Sequence, residues 1–111
     1  MERKFVEAEI FTKLWKHFDL SEEDFRALQL TLLSDPKAGD FIEGTGGVQK
    51  IRLSSENTNR GKSSSYRICY FDAEHTGHIF LIFIFSKEKL ENLTNADKKE
   101  IKALVKRLKN N

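Results

Sequence analysis

The spacing of apolar residues changes along the chain, and each change predicts a new element. Residues 4–9 alternate in part, as expected for an edge strand. From Ile10 to Phe18 the apolar residues recur with the spacing of an amphipathic helix. Ser21 and the three acidic residues after it then fit the start of a second helix, which should end before Pro36. These segments predict an edge strand followed by a helical hairpin.

The middle of the chain predicts three strands joined by turns. Residues 37–47 hold four of the six glycines and are expected to be irregular. Residues 48–53 alternate between polar and apolar positions, and residues 66–71 are again strand-like. A short segment with one glycine, residues 74–78, leads into the nearly continuous apolar run 78–85, which is typical of a central strand buried on both faces. We therefore expect an antiparallel meander.

A last helix is predicted after Thr94, because Thr94 and Asp97 have the spacing of a capping box. The element order is then β-α-α-β-β-β-α. It indicates a single α+β domain, residues 1–111, with a small antiparallel sheet of about four strands. The N-terminal helix hairpin and the C-terminal helix should flank this sheet. We expect the helices over one side, which leaves the other side for polar residues.

Charge is distributed unevenly along the chain. Residues 44–70 carry five cations and one anion, a net charge of +4, whereas the whole chain carries only +2. The 43 residues before this stretch have six basic and ten acidic groups, a net charge of −4. A cluster of cations on strand-like sequence is a candidate phosphate-binding surface. Residues 44–70 are therefore the first candidate for a functional site.

The apolar runs, the N-terminal residues and the cysteine count limit the cellular compartment and the kinds of site that this protein can have. The longest apolar run, residues 79–85, is far shorter than a membrane span, and the N-terminal residues lack the apolar block of a secretory signal. The single cysteine, Cys69, excludes an intrachain disulfide and a cysteine-based zinc site, and its apolar surroundings indicate a buried residue. We expect a cytoplasmic protein without membrane, metal or cofactor.

The candidate chemistry lies in the cations. Lys50 and Arg52 share one face of their predicted strand, and Arg67 could join them from the next one. Arg60 and Lys62 would approach from the adjoining turn. Several cations around one phosphate would stabilise the extra negative charge of a pentacovalent transition state, without metal or histidine. The alternative is a basic face that binds nucleic acid without cutting it.

Histidines offer a second route to the same chemistry. His75 and His78 flank a predicted turn and could serve as the base and acid of a metal-free ribonuclease. Residues three positions apart across a turn rarely converge on one phosphate, however. His17 lies on a predicted helix, where an exposed or structurally satisfied side chain is the simpler interpretation.

Several motifs in combination resemble the RelE/ParE superfamily of toxins, and especially its HigB-type branch. They are L-S-D-P-K-A-G-D at 33–40, G-T-G-G-V-Q-K-I-R at 44–52, R-G-K at 60–62, Y-R-I-C-Y at 66–70 and K-E-K-L-E-N-L-T at 87–94. The resemblance covers nearly the whole chain. It implies a RelE-like α+β fold and an mRNA endonuclease that works in the A site of the 70S ribosome. Such enzymes drive the 2′-hydroxyl of the mRNA onto the adjacent phosphate without a metal.

The resemblance also assigns roles to residues and implies partners. The residues expected to be catalytic are Lys50, Arg52, Arg67 and Lys87. Those expected to bind RNA are Arg60, Lys62 and Lys89. Beyond what the resemblance implies, we hypothesise a cation-only site in which Lys50 or Lys87 transfers protons. The partners would be mRNA, the ribosome and a cognate antitoxin with a DNA-binding domain, which should cover or distort the site.

The chain departs from the relatives in two places. Residues 63–65 are three serines where relatives often have a basic residue and glycines, and the C-terminal segment lacks the tyrosine that some RelE-like enzymes use. Tyr66 and Tyr70 should point to the core, away from Arg67. Two other functions stay open: a ParE-like toxin that poisons gyrase, and a passive RNA-binding module. The basic cluster favours RNA, since poisoning a protein needs no phosphate-binding site.

Overall fold

A computed structural model describes residues 3–55, 64–86 and 93–109. Within these ranges the chain forms five strands: β1 (Lys4–Glu7), β2 (Asp40–Phe41), β3 (Gln49–Ser55), β4 (Ser64–Ala73) and β5 (His78–Ser86). They also contain three α-helices, α1 (Glu9–His17), α2 (Glu22–Ser34) and α3 (Asn95–Lys109), and one turn of 3₁₀ helix, Glu74–Thr76. None of these helices combines the length and the apolar character that crossing a membrane requires.

All five strands belong to one sheet with the order β1-β5-β4-β3-β2. The predicted antiparallel meander is confirmed for β3, β4 and β5. Two parts of the prediction were wrong. The sheet is mixed, because β1 runs parallel to β5, and a fifth strand, β2, forms in the glycine-rich segment that was expected to be irregular. A parallel pair is possible here because α1, α2 and the rest of the sheet separate the two strands in sequence.

The helices lie on both faces of the sheet, which corrects the expectation that they share one side. Phe11 of α1 and Leu28 and Leu32 of α2 pack with one set of strand residues in a first core cluster. Ile101 and Val105 of α3 belong to a second cluster, which contains the opposite faces of β4 and β5. Both faces of these two strands carry large apolar side chains, so each face needs a helical cover to exclude water.

Local signals at the helix starts are confirmed. The Ser21 hydroxyl accepts a hydrogen bond from the Asp24 amide at 3.0 Å, and the Asp24 carboxylate accepts one from the Ser21 amide at 3.0 Å. Thr94 and Asp97 make the same reciprocal pair before α3, at 3.0 and 3.1 Å. Each pair satisfies two amides that the first turn of a helix leaves without intrahelical partners.

The glycine-rich loop between β2 and β3 holds α3 against the sheet. Thr45 is fully buried, and its hydroxyl donates to the Ile42 carbonyl at 2.6 Å. Lys109 near the end of α3 donates to the Gly46 carbonyl at 3.4 Å, and its ammonium lies 5.0 Å from the centre of the Phe71 ring. Gly47 has φ of 112°, and a Cβ there would stand 3.2 Å from the same ring. A side chain at position 47 would therefore strain both backbone and packing.

A β-bulge changes which residues of β5 face α3. Cys69 pairs with Phe83 while the next residue, Tyr70, pairs with Leu81, so Ile82 has no partner on β4. Ile82 and Phe83 consequently both join the cluster under α3, although they are adjacent in sequence. Beyond the bulge the alternation is inverted, because one inserted residue exchanges the two faces of everything that follows.

Candidate functional site

Strand pairing brings three of the predicted site residues together. Lys50 and Arg52 lie on the α3 side of β3, since Ile51 and Leu53 between and after them belong to the opposite cluster. Arg52 stands directly opposite Arg67 of β4 in the strand register. Arg52 is exposed, and Lys50 and Arg67 are half-buried. The three cations thus occupy adjacent positions on one face of the sheet, as the alternation of residues 48–53 predicted.

A serine hydroxyl links the two arginines. Ser65 Oγ accepts a hydrogen bond from Arg52 Nε at 3.1 Å and another from Arg67 Nη1 at 3.0 Å. Arg67 Nη1 also lies 3.5 Å from the Tyr66 carbonyl oxygen. Like charges directly opposite each other in a sheet are destabilising. The hydroxyl holds the two guanidinium groups side by side in spite of that repulsion.

No carboxylate neutralises these cations within the described ranges. None lies within 4.0 Å of Lys50, Arg52 or Arg67, although Asp40 of β2 is the register partner of Lys50. A positive cluster with no carboxylate beside it in the described part of the chain is a candidate site for an external anion.

Two carboxylates that do pair with cations, Asp72 and Glu74, lie at the other end of the sheet. Asp72 contacts Arg3 at 3.1 Å and Lys37 at 3.6 Å, and Glu74 contacts Lys37 at 2.8 Å. The hydrogen bond from Lys37 holds the pKa of the Glu74 carboxyl below its usual value. These ion pairs fasten the β1 end of the chain and the loop after α2 to the end of β4.

Two aromatic rings border the arginines. Phe85 is the register partner of Arg67 on β5, and Phe83 is the partner of Cys69. Their rings are stacked, with centroids 5.1 Å apart and an angle of 6° between the planes. The bulge at Ile82 places both rings on the same face as the cations. Phe85 is buried in the second core cluster, whereas Phe83 is half-buried, so Phe83 is the ring that a nucleobase could contact beside the cations.

Cys69 lies between Lys50 and Phe83 but has the properties of a core residue. It is fully buried, which confirms the prediction for this thiol. Burial raises the pKa of the Cys69 thiol to about 12, even though the nearby charge of Lys50 acts to lower it. The reactive form of cysteine is the thiolate, so this group is a poor nucleophile near neutral pH.

We therefore expect Cys69→Ala to reduce stability without changing the chemistry of the site. Loss of the buried sulfur should lower the free energy of unfolding by about 1 kcal/mol, the usual size for a small core truncation. Urea denaturation measures this change, and any activity of the cation cluster should be the same in the folded variant and in the unchanged protein. Loss of that activity in a variant with a native circular dichroism spectrum would mean that the thiol takes part in it.

Tyr70 and Gln49 fix the loop that precedes β2. The Tyr70 hydroxyl donates to the Pro36 carbonyl at 2.9 Å and accepts from the Gly39 amide at 2.9 Å. Gln49 Nε2 donates to the Gly39 carbonyl at 2.8 Å. A Cβ at Gly39 would lie 2.6 Å from the Lys50 carbonyl oxygen and 2.8 Å from the Tyr70 hydroxyl, so only glycine fits. These contacts set the position of β2 beside Lys50.

Tyr70→Phe should destabilise the protein by about 1–3 kcal/mol, because it leaves the Pro36 carbonyl and the Gly39 amide without their partner. The free energy of unfolding in urea measures the loss, and the Gly39 amide resonance should shift in an NMR spectrum. Tyr66→Phe is the matched control, since no hydrogen bond of the Tyr66 hydroxyl is found in the described part of the chain. Equal stabilities of the two variants would contradict this account.

Two groups of predicted residues remain, the two tyrosines and the four cations that lie outside β3 and β4. Tyr66 and Tyr70 point into the core opposite Arg67, as expected. Arg60, Lys62, Lys87 and Lys89 lie outside the described residues, so their predicted roles stay predictions.

The histidines do not join the cations. His78 is the register partner of Ala73 on β4, six residues from Arg67 and therefore about 20 Å away along the strand. His75 lies in the 3₁₀ turn just after Ala73, and both histidines line the same depression beside α3. The histidine pair thus lies apart from the cation cluster, and its own role as the base and acid of a ribonuclease stays a prediction.

Sequence reasoning missed two parts of this site. Ser65 was not among the predicted site residues, although its place two residues before Arg67 puts it on the same strand face. Phe83 and Phe85 have the two-residue spacing of strand neighbours, but only the bulge decides which face they share. No protein-family model matches the chain.

Proposed function

We propose that this protein is a ribosome-dependent mRNA endonuclease of the RelE type, the toxin of a type II toxin–antitoxin pair. The observation that carries the proposal is the pair of guanidinium groups of Arg52 and Arg67, held 3.1 and 3.0 Å from one hydroxyl oxygen with no carboxylate beside them in the described residues. Lys50 adds a third charge on the same face. This arrangement fits a phosphodiester, whose non-bridging oxygens match the donors of a guanidinium fork.

The reaction that suits these groups is transesterification within the RNA. The 2′-oxygen attacks the adjacent phosphorus as the 2′-hydroxyl loses its proton, and the P–O5′ bond breaks as the 5′-oxygen gains one. The products are a 2′,3′-cyclic phosphate and a 5′-hydroxyl. Arg52 and Arg67 would stabilise the added negative charge of the pentacovalent transition state. Lys50 is the candidate for proton transfer in the described part of the chain, and Lys87 is a second candidate.

The proposed partners follow from the same chemistry. The mRNA would be presented in the ribosomal A site, where its backbone can be held in the geometry that in-line attack requires. A cognate antitoxin would cover or distort the cationic face. In a purified complex, Lys50 and Arg67 should then be less accessible to a lysine- or arginine-modifying reagent than in the free protein.

The test is 5′-end mapping of an mRNA in a reconstituted translation system, with and without ribosomes. We expect cuts within codons that appear only when ribosomes are present. End-group analysis should find 2′,3′-cyclic phosphates on the upstream fragments. Intact mRNA together with normal translation would overturn the proposal and direct attention to a gyrase poison or a passive RNA-binding module. Cuts on free RNA would instead point to chemistry that does not need the ribosome.

A further inference from the structure

We propose that Ser65 completes a three-group oxyanion site with Arg52 and Arg67. In this site the serine oxygen positions both guanidinium groups, and the serine hydroxyl hydrogen is donated to a non-bridging oxygen of the bound phosphate. The ligand class is therefore a phosphodiester or another tetrahedral oxyanion. The inference rests on the proposed function for its biological meaning, but the site itself is defined by the contacts of Ser65.

The hydrogen-bonding capacity of Ser65 determines which group its hydroxyl hydrogen can be donated to. A hydroxyl has two acceptor positions and one hydrogen to donate. The two acceptor positions of Ser65 Oγ are used by Arg52 Nε and Arg67 Nη1. Among the backbone groups and side chains that the structure describes, no hydrogen bond has the Ser65 hydroxyl as its donor. We infer that the hydrogen can be donated to an oxygen atom that approaches the arginines.

The same contacts make the site pre-organised. An arginine side chain loses considerable rotamer freedom when it is fixed on a ligand. Ser65 holds one nitrogen of each guanidinium before any ligand arrives, which leaves the other N–H groups of both forks for phosphate oxygens. Binding energy that would otherwise order the side chains can then act on the transition state.

The sharpest test compares Ser65→Thr with Ser65→Val. The two side chains have nearly the same shape, and both are β-branched residues that suit a strand, so the pair differs mainly in the hydroxyl. Single-turnover cleavage of mRNA on ribosomes should be about tenfold or more slower for Ser65→Val, mainly through the rate constant and less through the concentration for half-maximal rate. Ser65→Thr should keep at least a third of the original rate, and Ser34→Val on α2 should keep all of it.

A second measurement does not depend on cleavage. NMR signals of the Arg52 and Arg67 Nε–Hε groups can be followed while inorganic phosphate is added to the full chain. We expect both signals to shift in the unchanged protein and in Ser65→Thr. The apparent affinity for phosphate should be about tenfold weaker in Ser65→Val.

The two measurements separate the two proposals. Equal cleavage rates and equal phosphate affinities for the Thr and Val variants would overturn the role of Ser65 and leave the endonuclease intact. Absence of cleavage by every variant, with phosphate binding that still requires the hydroxyl, would overturn the endonuclease and keep the oxyanion site. Absence of phosphate-induced shifts at Arg52 and Arg67 in the unchanged protein would overturn the oxyanion site directly.

Discussion

Arg67→Ala is expected to lower the rate of mRNA cleavage on ribosomes by about 10²-fold or more, the scale of losing one positioned electrostatic group. Arg67 is half-buried on the central strand β4, between Arg52 on one side and Phe85 on the other. Its guanidinium group is held by Ser65, so its charge is already in place when the phosphate arrives. The change should act on the chemical step, which single-turnover kinetics measures separately from binding.

Arg26→Ala is the matched control for this prediction. Arg26 is an exposed arginine on α2, and α2 lies on the face of the sheet opposite the cations. Removal of its charge changes the net charge of the protein by the same amount but should leave cleavage within about twofold of the original rate. Cleavage by Arg67→Ala at the unchanged rate would show that Arg67 is not part of the site. Equal losses of cleavage rate in both variants would indicate a general effect of net charge.

Phe11→Ala is expected to lower the free energy of unfolding by about 3–5 kcal/mol, the range for truncating a buried phenylalanine. Phe11 is fully buried where α1 meets the sheet, and its ring stacks on Trp15 with centroids 5.7 Å apart. The whole stability of a domain of this size is about 5–15 kcal/mol. The variant should therefore unfold at a much lower urea concentration and be partly unfolded at 37 °C.

Phe41→Ala provides the comparison, because Phe41 is 64% exposed on the two-residue strand β2. It removes the same atoms as the change at position 11 but leaves no cavity, so stability should change by no more than about 0.5 kcal/mol. Both changes in the free energy of unfolding can be taken from shifts of the urea midpoint, provided that the dependence of that free energy on urea concentration is unchanged. Similar losses in the two variants would show that burial in the first core cluster is not what stabilises α1.

Local patterns were sufficient to predict much of this fold. The reciprocal caps at Ser21 and Thr94 are encoded within four residues, and the structure has both. The alternation of residues 48–53 likewise fixed the faces of Lys50 and Arg52, since successive side chains of a strand point to opposite sides. Such features depend on residues that are neighbours in the sequence, so the local order of residues shows them directly.

Features that depend on distant pairing could not be predicted. Nothing in residues 4–9 specifies a parallel partner, and the partner found, β5, begins at residue 78. The bulge at Ile82 inverts the faces of Phe83 and Phe85, which a strict alternation from Ile79 would place incorrectly. The contact between Ser65 and Arg52 requires the register of β3 on β4, which the sequence leaves undetermined over the serine run.

The pairing of β1 with β5 has a consequence for biosynthesis. Lys4 lies opposite His78, so an edge of the sheet depends on residues that are made more than 70 positions apart. During translation β1 leaves the ribosome early. The chain grows at about 5–20 residues per second, and β1 stays without its strand partner until β5 has also emerged. A nascent chain that stops before residue 78 lacks β5, so it has neither that edge nor the strand that pairs with β4 on the side away from β3. If the protein halts translation, prematurely terminated copies of itself would lack the strand that pairs with the arginine-bearing strand β4, and only synthesis past β5 would complete the sheet.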